Sequence, residues 1–131
     1  MRTNNYSLMF NMADVGKFIE TLGDPNPIYK SFDDARNLGF NTIPLPPTMP
    51  MIAYRLIEIP WELVPPVVHR KQKCIMLHQM FIDQTYTACV TISDHYQKHQ
   101  ITFIKQFLEI YDSNGVLCFN GISELIAGGL K

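Results

Sequence analysis

The second half of the chain constrains the fold most, because four long runs there combine strand-forming residues with turn signals. The runs cover residues 73–82, 85–95, 100–111 and 116–126. Between the last two, Asp112-Ser113-Asn114-Gly115 is a strong hairpin signal, since Asn-Gly supplies positive φ. Further turns are expected at residues 83–85 and 96–99. Strands joined by such turns predict an antiparallel sheet.

The segment before these runs is apolar on nearly every side when it is drawn as a helix. Thr48 can cap this helix, and Pro50 is tolerated in the first turn because its missing N–H would have no partner there. The helix is expected over residues 49–58, before Pro60. A helix that is apolar all round is buried, and ten residues are far too few to cross a membrane. The predicted fold is therefore α+β, an antiparallel sheet wrapped around a central buried helix.

The first forty residues predict a short strand and two helices. Residues 6–10 alternate weakly, Asn11 can cap the first helix, and Gly23 can end it. Apolar residues at helical spacing give this helix one buried stripe: Val15, Phe18, Ile19 and Leu22. Ser31 can cap a second helix over residues 32–38, with Ala35 and Leu38 packed and Gly39 just beyond its end.

Composition limits the classes of function. The 131 residues fit one domain, residues 1–131, and 47% hydrophobic content predicts a globular chain. A net charge of -1 gives no electrostatic case for nucleic acid or an anionic membrane. The basic residues at 70, 71 and 73 form only a short cluster, interpreted as a solvated strand entry. We expect neither a signal peptide nor a membrane span.

The cysteines and histidines do not form the pattern of a metal site. Three cysteines without a Cys-x-x-Cys pair predict reduced, buried thiols in a cytoplasmic protein: Cys74, Cys89 and Cys118. The four histidines lack metal-ligand spacing backed by carboxylates. We therefore expect no metal and no cofactor.

A stiff polar stretch, Gly23-Asp24-Pro25-Asn26-Pro27-Ile28-Tyr29, follows the first helix. Each proline pushes the residue before it out of the α region, so Asp24 and Asn26 are both held extended. From spacing alone the stretch is a helix stop, since Gly and Pro are the usual punctuation there. The alternative is a loop that presents a carboxylate for function.

The connection Trp61-Glu62-Leu63-Val64-Pro65-Pro66-Val67-Val68 is apolar and proline-rich. Two interpretations have equal support from the residues. It is a packed loop, or it is a wall or lid over an apolar pocket.

Several fixed positions together resemble the MaoC-like hydratase/dehydratase superfamily. They are Phe18, the stretch 23–29, Asp34-Ala35, Leu38-Gly39-Phe40 and Pro46-Pro47-Thr48-Met49, with looser likeness at Gln79-Met80-Phe81 and residues 111–117. The resemblance covers nearly the whole chain and is greatest for the N-terminal-type half of the family, which includes the first component of two-component (3R)-hydroxyacyl-ACP dehydratases. It implies a hot-dog fold and acyl thioesters of coenzyme A or acyl carrier protein as substrates.

The catalytic pattern of that family is only partly present. Active members use Asp-x-Asn-x-x-His, and Asp24 and Asn26 match while Tyr29 replaces the histidine. Histidine can take a proton near pH 7, whereas an unperturbed tyrosine, with a pKa of about 10, is a poor base. The resemblance thus implies Asp24, Asn26 and Tyr29 as catalytic candidates, and no other histidine can be assigned to the role. The candidate substrate-binding residues are Pro47, Thr48, Met49, Met51, Ile52 and Trp61.

Three functions remain open from the sequence. The first is the non-catalytic or weakly active, acyl-holding component of a heteromeric dehydratase. The second is a stand-alone (R)-specific hydratase/dehydratase that uses Asp24. The third is a hot-dog protein that binds an acyl ligand without chemistry. Because hot-dog domains usually pair through sheet edges, we expect a homodimer or a heterodimer with a catalytic hot-dog subunit.

Overall fold

Five antiparallel strands form one sheet in the computed structural model, which describes all residues from 1 to 131. The strands are β1 (Tyr6–Met9), β2 (Leu63–Met76), β3 (Thr85–Lys98), β4 (Ile101–Tyr111) and β5 (Leu117–Leu130). Their order across the sheet is β1-β3-β4-β5-β2, so β1 and β2 occupy the two edges. The predicted antiparallel sheet is confirmed.

Two short α-helices, α1 (Met12–Leu22) and α2 (Phe32–Asn37), lie between β1 and β2. The predicted start of α1 is correct: Asn11 Oδ1 accepts from the Asp14 N–H, and Asp14 Oδ2 accepts from the Asn11 N–H, each at 2.8 Å. Gly23 ends the helix in the left-handed conformation, at φ 68°, which a glycine adopts without strain. Two 3-10 helices, Pro27–Tyr29 and Met49–Leu56, complete the elements.

The central helix differs from its prediction in three respects. It is a 3-10 helix, the Thr48 side chain makes no capping hydrogen bond, and Leu56 is 57% exposed rather than enclosed. In a 3-10 helix, residues three apart stand in one row. The row of Met51 and Tyr54 contacts side chains of the sheet, Gln72 of β2 and Gln106 of β4. Ile52, Arg55 and Leu56 keep exposed surface, so a nearly all-apolar sequence does not bury every side of the helix.

Strand β2 starts ten residues earlier than its prediction and ends six residues earlier. The segment 63–68, expected to be a loop or lid, pairs with β5 on both sides of Pro65 and Pro66. The two prolines lie at an irregularity in the register of this edge strand, where proline is tolerated. Residues 77–82, expected to be strand, turn away from the sheet toward the chain around residue 44. There Leu45 N–H donates to Met80 O at 2.8 Å, and Ile82 N–H donates to Ile43 O at 3.1 Å.

The core lies between the sheet and the elements that cross it. It is one cluster of 24 buried residues, to which α1 contributes Val15 and Ile19, and the central 3-10 helix contributes Met49 and Ala53. Ala35 is buried as predicted, whereas Leu38 is 55% exposed and the expectation that it packs is wrong. No helix in the structure is long and apolar enough to span a bilayer.

The turns and thiols show two smaller differences. In the 112–115 turn only Gly115 has positive φ, while the two-residue turn at His99 and Gln100 has positive φ at both positions. Burial raises the thiol pKa of Cys89 and of Cys118, which keeps both protonated. The third cysteine, expected to be buried, is exposed on the β2 edge at Cys74.

Candidate functional site

The stretch after α1 is held by its own polar side chains. Asp24 Oδ1 accepts from the Asn26 N–H at 2.9 Å, and Asn26 Oδ1 accepts from the Ile28 N–H at 3.1 Å. These are Asx turns, in which a short polar side chain hydrogen-bonds the backbone two residues on. Asn26 is extended as predicted, at φ -60° and ψ 120°, and caps the short 3-10 helix Pro27–Tyr29. The two candidate catalytic groups therefore stabilise the loop that carries them.

Tyr29 lies half-buried at the end of this loop. Burial, and then the nearby Asp24 carboxylate, raise the pKa of its hydroxyl above the ordinary value of 10.0. No hydrogen bond joins the Tyr29 hydroxyl to Asp24. At neutral pH Tyr29 is therefore protonated: it can donate a hydrogen bond, but it cannot take a proton from a substrate.

A groove of about 510 Å³ runs along α1. It is lined from β1, from α1 and from the central 3-10 helix, chiefly by Leu8, Phe10, Phe18, Met49, Ile52 and Leu56. Lys17 and Arg55 are its basic residues, and neither has an ion-pair partner, since the one ion pair in the protein joins Arg36 to Asp33. The groove thus combines an apolar lining with two basic side chains and one carboxylate, that of Asp14, which caps α1.

Only two of the predicted substrate-binding residues, Met49 and Ile52, line this groove. Pro47 and Thr48 are exposed on the segment that precedes the 3-10 helix. Met51 points the opposite way, with its Sδ 3.9 Å from Gln72 Nε2. The sequence prediction for these three residues finds no support in the groove geometry.

Trp61 belongs to the core, which corrects its reading as part of a lid. Its side chain is buried, and the indole N–H donates to Gln106 Oε1 at 3.1 Å. Gln106 Nε2 in turn lies 3.4 Å from the Tyr54 hydroxyl. Burial raises the pKa of Tyr54, although the hydrogen bonds to Gln106 and Ser123 oppose that rise. Gln106 of β4 therefore links both Trp61 and the central 3-10 helix to the sheet.

Sequence reasoning missed the basic residues of the groove, Lys17 and Arg55. Each occupies a position typical of an ordinary exposed helix residue. For Arg55 the available signal was its spacing of three from Ile52 and Met49. That spacing places the three side chains in one row only if the helix is 3-10. The groove and the Asp24 loop share α1 but remain separate, since neither Asp24, Asn26 nor Tyr29 lines the groove.

Comparison with protein families gives one match, which covers most of the chain. Residues 4–126 match the family model described as "FAS1-like, dehydratase domain region". No curated protein sequence matches significantly.

Several solved structures share the fold. The HadBC (3R-hydroxyacyl-ACP dehydratase) complex from Mycobacterium tuberculosis aligns with a TM-score of 0.76 at 13% identity, covering 97% of this chain and 95% of that one. The ChsH1-ChsH2 complex from the same organism aligns with a TM-score of 0.79 at 15% identity, covering 96% and 83%. The (R)-hydratase from A. caviae involved in PHA biosynthesis aligns with a TM-score of 0.72 at 17% identity, covering 95% and 92%. At these identities the likeness shows the fold alone.

Proposed function

We propose, because this chain belongs to the FAS1-like dehydratase domain region family and has the MaoC-like hot-dog fold, that it is the acyl-binding component of a heteromeric (3R)-hydroxyacyl dehydratase. In this role it is non-catalytic or weakly active. One observation carries the proposal. The loop keeps Asp24 and Asn26 but ends in a protonated tyrosine, while an apolar groove stays open beside the same helix.

The reaction of the family needs a base and an acid. To move water onto or off an acyl thioester, one group takes a proton near pH 7 and another delivers one. Tyr29 cannot be the base, because burial and the Asp24 charge both favour its neutral form. Asp24 can accept a proton, but one of its oxygens already accepts the Asn26 N–H. The chain alone therefore lacks the pair that fast turnover requires.

The groove suits the acyl part of a thioester. Its volume of about 510 Å³ falls within the range of small-molecule sites, roughly 300–1,000 Å³. Phe18, Ile52 and Leu56 supply apolar surface for a hydrocarbon chain, whose transfer from water is favourable. Lys17 and Arg55 supply positive charge for the phosphates of coenzyme A or of a carrier protein's prosthetic arm.

The partner we propose is a catalytic hot-dog subunit. Two of the structures that share the fold, HadBC and ChsH1-ChsH2, are complexes. A second subunit carrying the complete Asp-x-Asn-x-x-His pattern would supply the base that position 29 lacks here. The cytoplasmic location expected from the cysteines remains a prediction.

The test pairs a binding assay with a rate assay. Calorimetry measures the affinity of the purified protein for a saturated acyl-CoA, and absorbance follows hydration of a trans-2-enoyl-CoA. We expect binding with turnover near the uncatalysed rate, equal for wild type and for Asp24→Asn. Fast wild-type turnover that Asp24→Asn abolishes would establish the stand-alone hydratase instead.

Co-purification from the native cell separates the two remaining functions. A bound hot-dog partner with Asp-x-Asn-x-x-His supports the proposal. Acyl-CoA binding by a protein that co-purifies with no such partner would make it an acyl-ligand-binding protein without chemistry. Absence of acyl-CoA binding by both the isolated chain and its complex would overturn the proposal.

A further inference from the structure

The adjacent strands β4 and β5 turn alternate side chains to two faces of the sheet. The inner face lies under the central 3-10 helix, since a Cβ added to Gly121 of β5 would meet the Sδ of Met51. The intervening residues form the outer face. Those of β4 are Phe103, Lys105, Phe107 and Glu109, and those of β5 are Asn120, Ile122, Glu124 and Ile126. None of them is fully buried, so the outer face stays open.

A row of alternating charges crosses the outer face. In the strand registers Asp94 of β3 pairs with Lys105 of β4, Lys105 pairs with Glu124 of β5, and Glu124 pairs with Lys71 of β2. The row therefore reads minus, plus, minus, plus. None of the four is ion-paired within the chain, because the one ion pair of the protein lies within α2. All four charges are thus available to a partner.

The charged row is complementary to itself under one two-fold rotation. With the axis parallel to the strands, between β4 and β5, Lys105 lies over Glu124 of a second copy. The same rotation places Asp94 over Lys71 of that copy, so each charge meets its opposite. An axis across the strands, along the row, would instead place Lys105 over itself. The row therefore favours two sheets packed face to face with nearly aligned strands, a usual geometry of packed sheets.

The apolar residues of the outer face are matched by the same rotation. The registers pair Phe103 with Ile126 and Phe107 with Ile122, so each phenylalanine lies over an isoleucine of the second copy. These half-buried side chains flank the charged row on both sides. Removal of their apolar surface from water favours association, while the charges fix the orientation of the two copies.

An amide and a carboxylate form the next matched pair. Asn120 pairs with Glu109 in the register, so the rotation places Asn120 over Glu109 of the second copy. The Oδ1 of Asn120 is the one buried side-chain polar atom of the protein without a hydrogen-bond partner. Turning this amide to donate its N–H to that carboxylate would release the buried oxygen. The carboxylate already accepts from Thr91 and Tyr111 and has acceptor sites left for the amide.

We propose that the outer face of the sheet binds the outer face of a second copy of this chain, with the two-fold axis parallel to the strands between β4 and β5. The footprint is small, since four strands at their usual spacing cover about 20 Å by 20 Å. We therefore expect a weak dimer, with a dissociation constant in the micromolar range. The contact uses neither the groove nor the strand edges, so it does not rest on the proposed function and leaves both free for a catalytic partner.

Two single charge reversals test the orientation, because like charges meet when either variant pairs with itself. Lys105→Glu places an acid over Glu124 of the second copy, and Glu124→Lys places a lysine over Lys105. In a mixed dimer of the two variants every charge again meets its opposite. Sedimentation equilibrium at low salt measures the mass against concentration. We expect each variant alone to dimerise roughly tenfold more weakly than wild type, and the equimolar mixture to recover the wild-type affinity within about threefold.

Matched controls and a neutral variant make the result specific. Lys30→Glu and Glu20→Lys make the same charge reversals at exposed positions outside the outer face, and each should dimerise as wild type does. Assembly through the strand edges would be equal in all these proteins, so the step that changes with the outer charges reports the outer face. Lys105→Gln/Glu124→Gln places no like charges side by side, and its fold is therefore not weakened by repulsion. We expect it to dimerise several-fold more weakly than wild type, with less dependence on salt.

Three results would overturn the proposal. One is a wild type whose mass does not double by about 200 µM, far above a micromolar dissociation constant. Another is a Lys105→Glu variant that pairs more tightly with wild type than with Glu124→Lys, as an axis across the strands requires. The third is a neutral variant that dimerises as tightly as wild type. Acyl-CoA titration of the same samples keeps this result separate from the proposed function, because the outer face shares no residue with the groove.

Discussion

The loop after α1 and the groove along α1 are adjacent regions with opposite properties. The loop carries the residues by which the family is identified, yet Asp24 and Asn26 each bond to their own backbone and Tyr29 has replaced the base. The groove carries no motif, yet it offers about 510 Å³ of apolar volume with two unpaired cations. The loop therefore carries a family resemblance, while the groove carries the proposed binding function.

The largest expected effect comes from restoring the missing base. We expect Tyr29→His to raise the rate of trans-2-enoyl-CoA hydration by about 10²-fold, the lower end of what general acid–base catalysis supplies. The reason is that a histidine can take a proton near pH 7, whereas Tyr29, whose pKa is raised above 10.0, cannot. Stopped-flow or absorbance assays measure the rate, with Tyr29→Phe as the control that adds no base. A rate unchanged by Tyr29→His would mean that the loop no longer serves the reaction.

A charge placed in the groove should weaken acyl binding next most strongly. We expect Ile52→Glu to lower the affinity for a saturated acyl-CoA roughly thirtyfold, because a carboxylate must then be desolvated against the hydrocarbon chain. The control is Leu38→Glu, which adds the same charge at an exposed leucine outside the groove. Calorimetry should show no change for the control, and equal losses in both variants would argue against the groove as the site.

Trp61→Phe tests whether Trp61 stabilises the core or binds the acyl ligand. Phenylalanine keeps the aromatic ring but removes the indole N–H, which leaves the buried Gln106 Oε1 without its donor. We expect the free energy of unfolding in urea to fall by about 1.5 kcal/mol, within the cost of an unsatisfied buried polar group. The acyl-CoA affinity should not change, and a loss of affinity without a loss of stability would restore Trp61 to the binding surface.

The smallest effect lies on the sheet, away from both regions. The Tyr111 hydroxyl donates to the Glu109 carboxylate, and this bond, with burial, raises the pKa of Tyr111 from 10.0 to about 12. Because the folded pKa is the higher one, the stabilisation is complete below about pH 10 and disappears as the pH rises through about 12.

The matched variant is Tyr111→Phe. We expect it to be less stable than wild type by about 1 kcal/mol at pH 8, since a half-buried bond to a charged acceptor is partly screened by water. Urea unfolding across the pH range should show the two proteins converging above about pH 12. A difference in stability that is constant with pH would argue against the hydrogen bond as its source.

Local signals predicted the parts of the fold that depend on neighbouring residues. Such signals predicted both ends of α1, at Asn11 and Gly23. They also predicted the strand runs 85–95 and 100–111. The start of β2 was missed because the Pro65-Pro66 pair is typical of a break, although an edge strand accommodates it at a register irregularity. The 3-10 form of the central helix could not be predicted, because a segment that is apolar at nearly every position fits an α-helix and a 3-10 helix equally well.

The candidate site was predictable only in part. The loop residues follow from the family pattern, and the Asx turns of Asp24 and Asn26 are a known habit of those residue types. The groove depends on three elements, β1, α1 and the 3-10 helix, whose relative placement no local pattern specifies. Lys17 and Arg55 could not be recognised as groove residues without that placement.

The groove is tested most directly as the acyl site by calorimetric titration of one saturated acyl-CoA into wild type, Ile52→Glu and Asp24→Asn side by side. If acyl-CoA binds in the groove, Asp24→Asn binds as tightly as wild type, because the loop does not line the groove, and Ile52→Glu binds roughly thirtyfold more weakly. This assignment of the site has a clear opposite. The reverse result, with binding lost in Asp24→Asn and kept in Ile52→Glu, would contradict it.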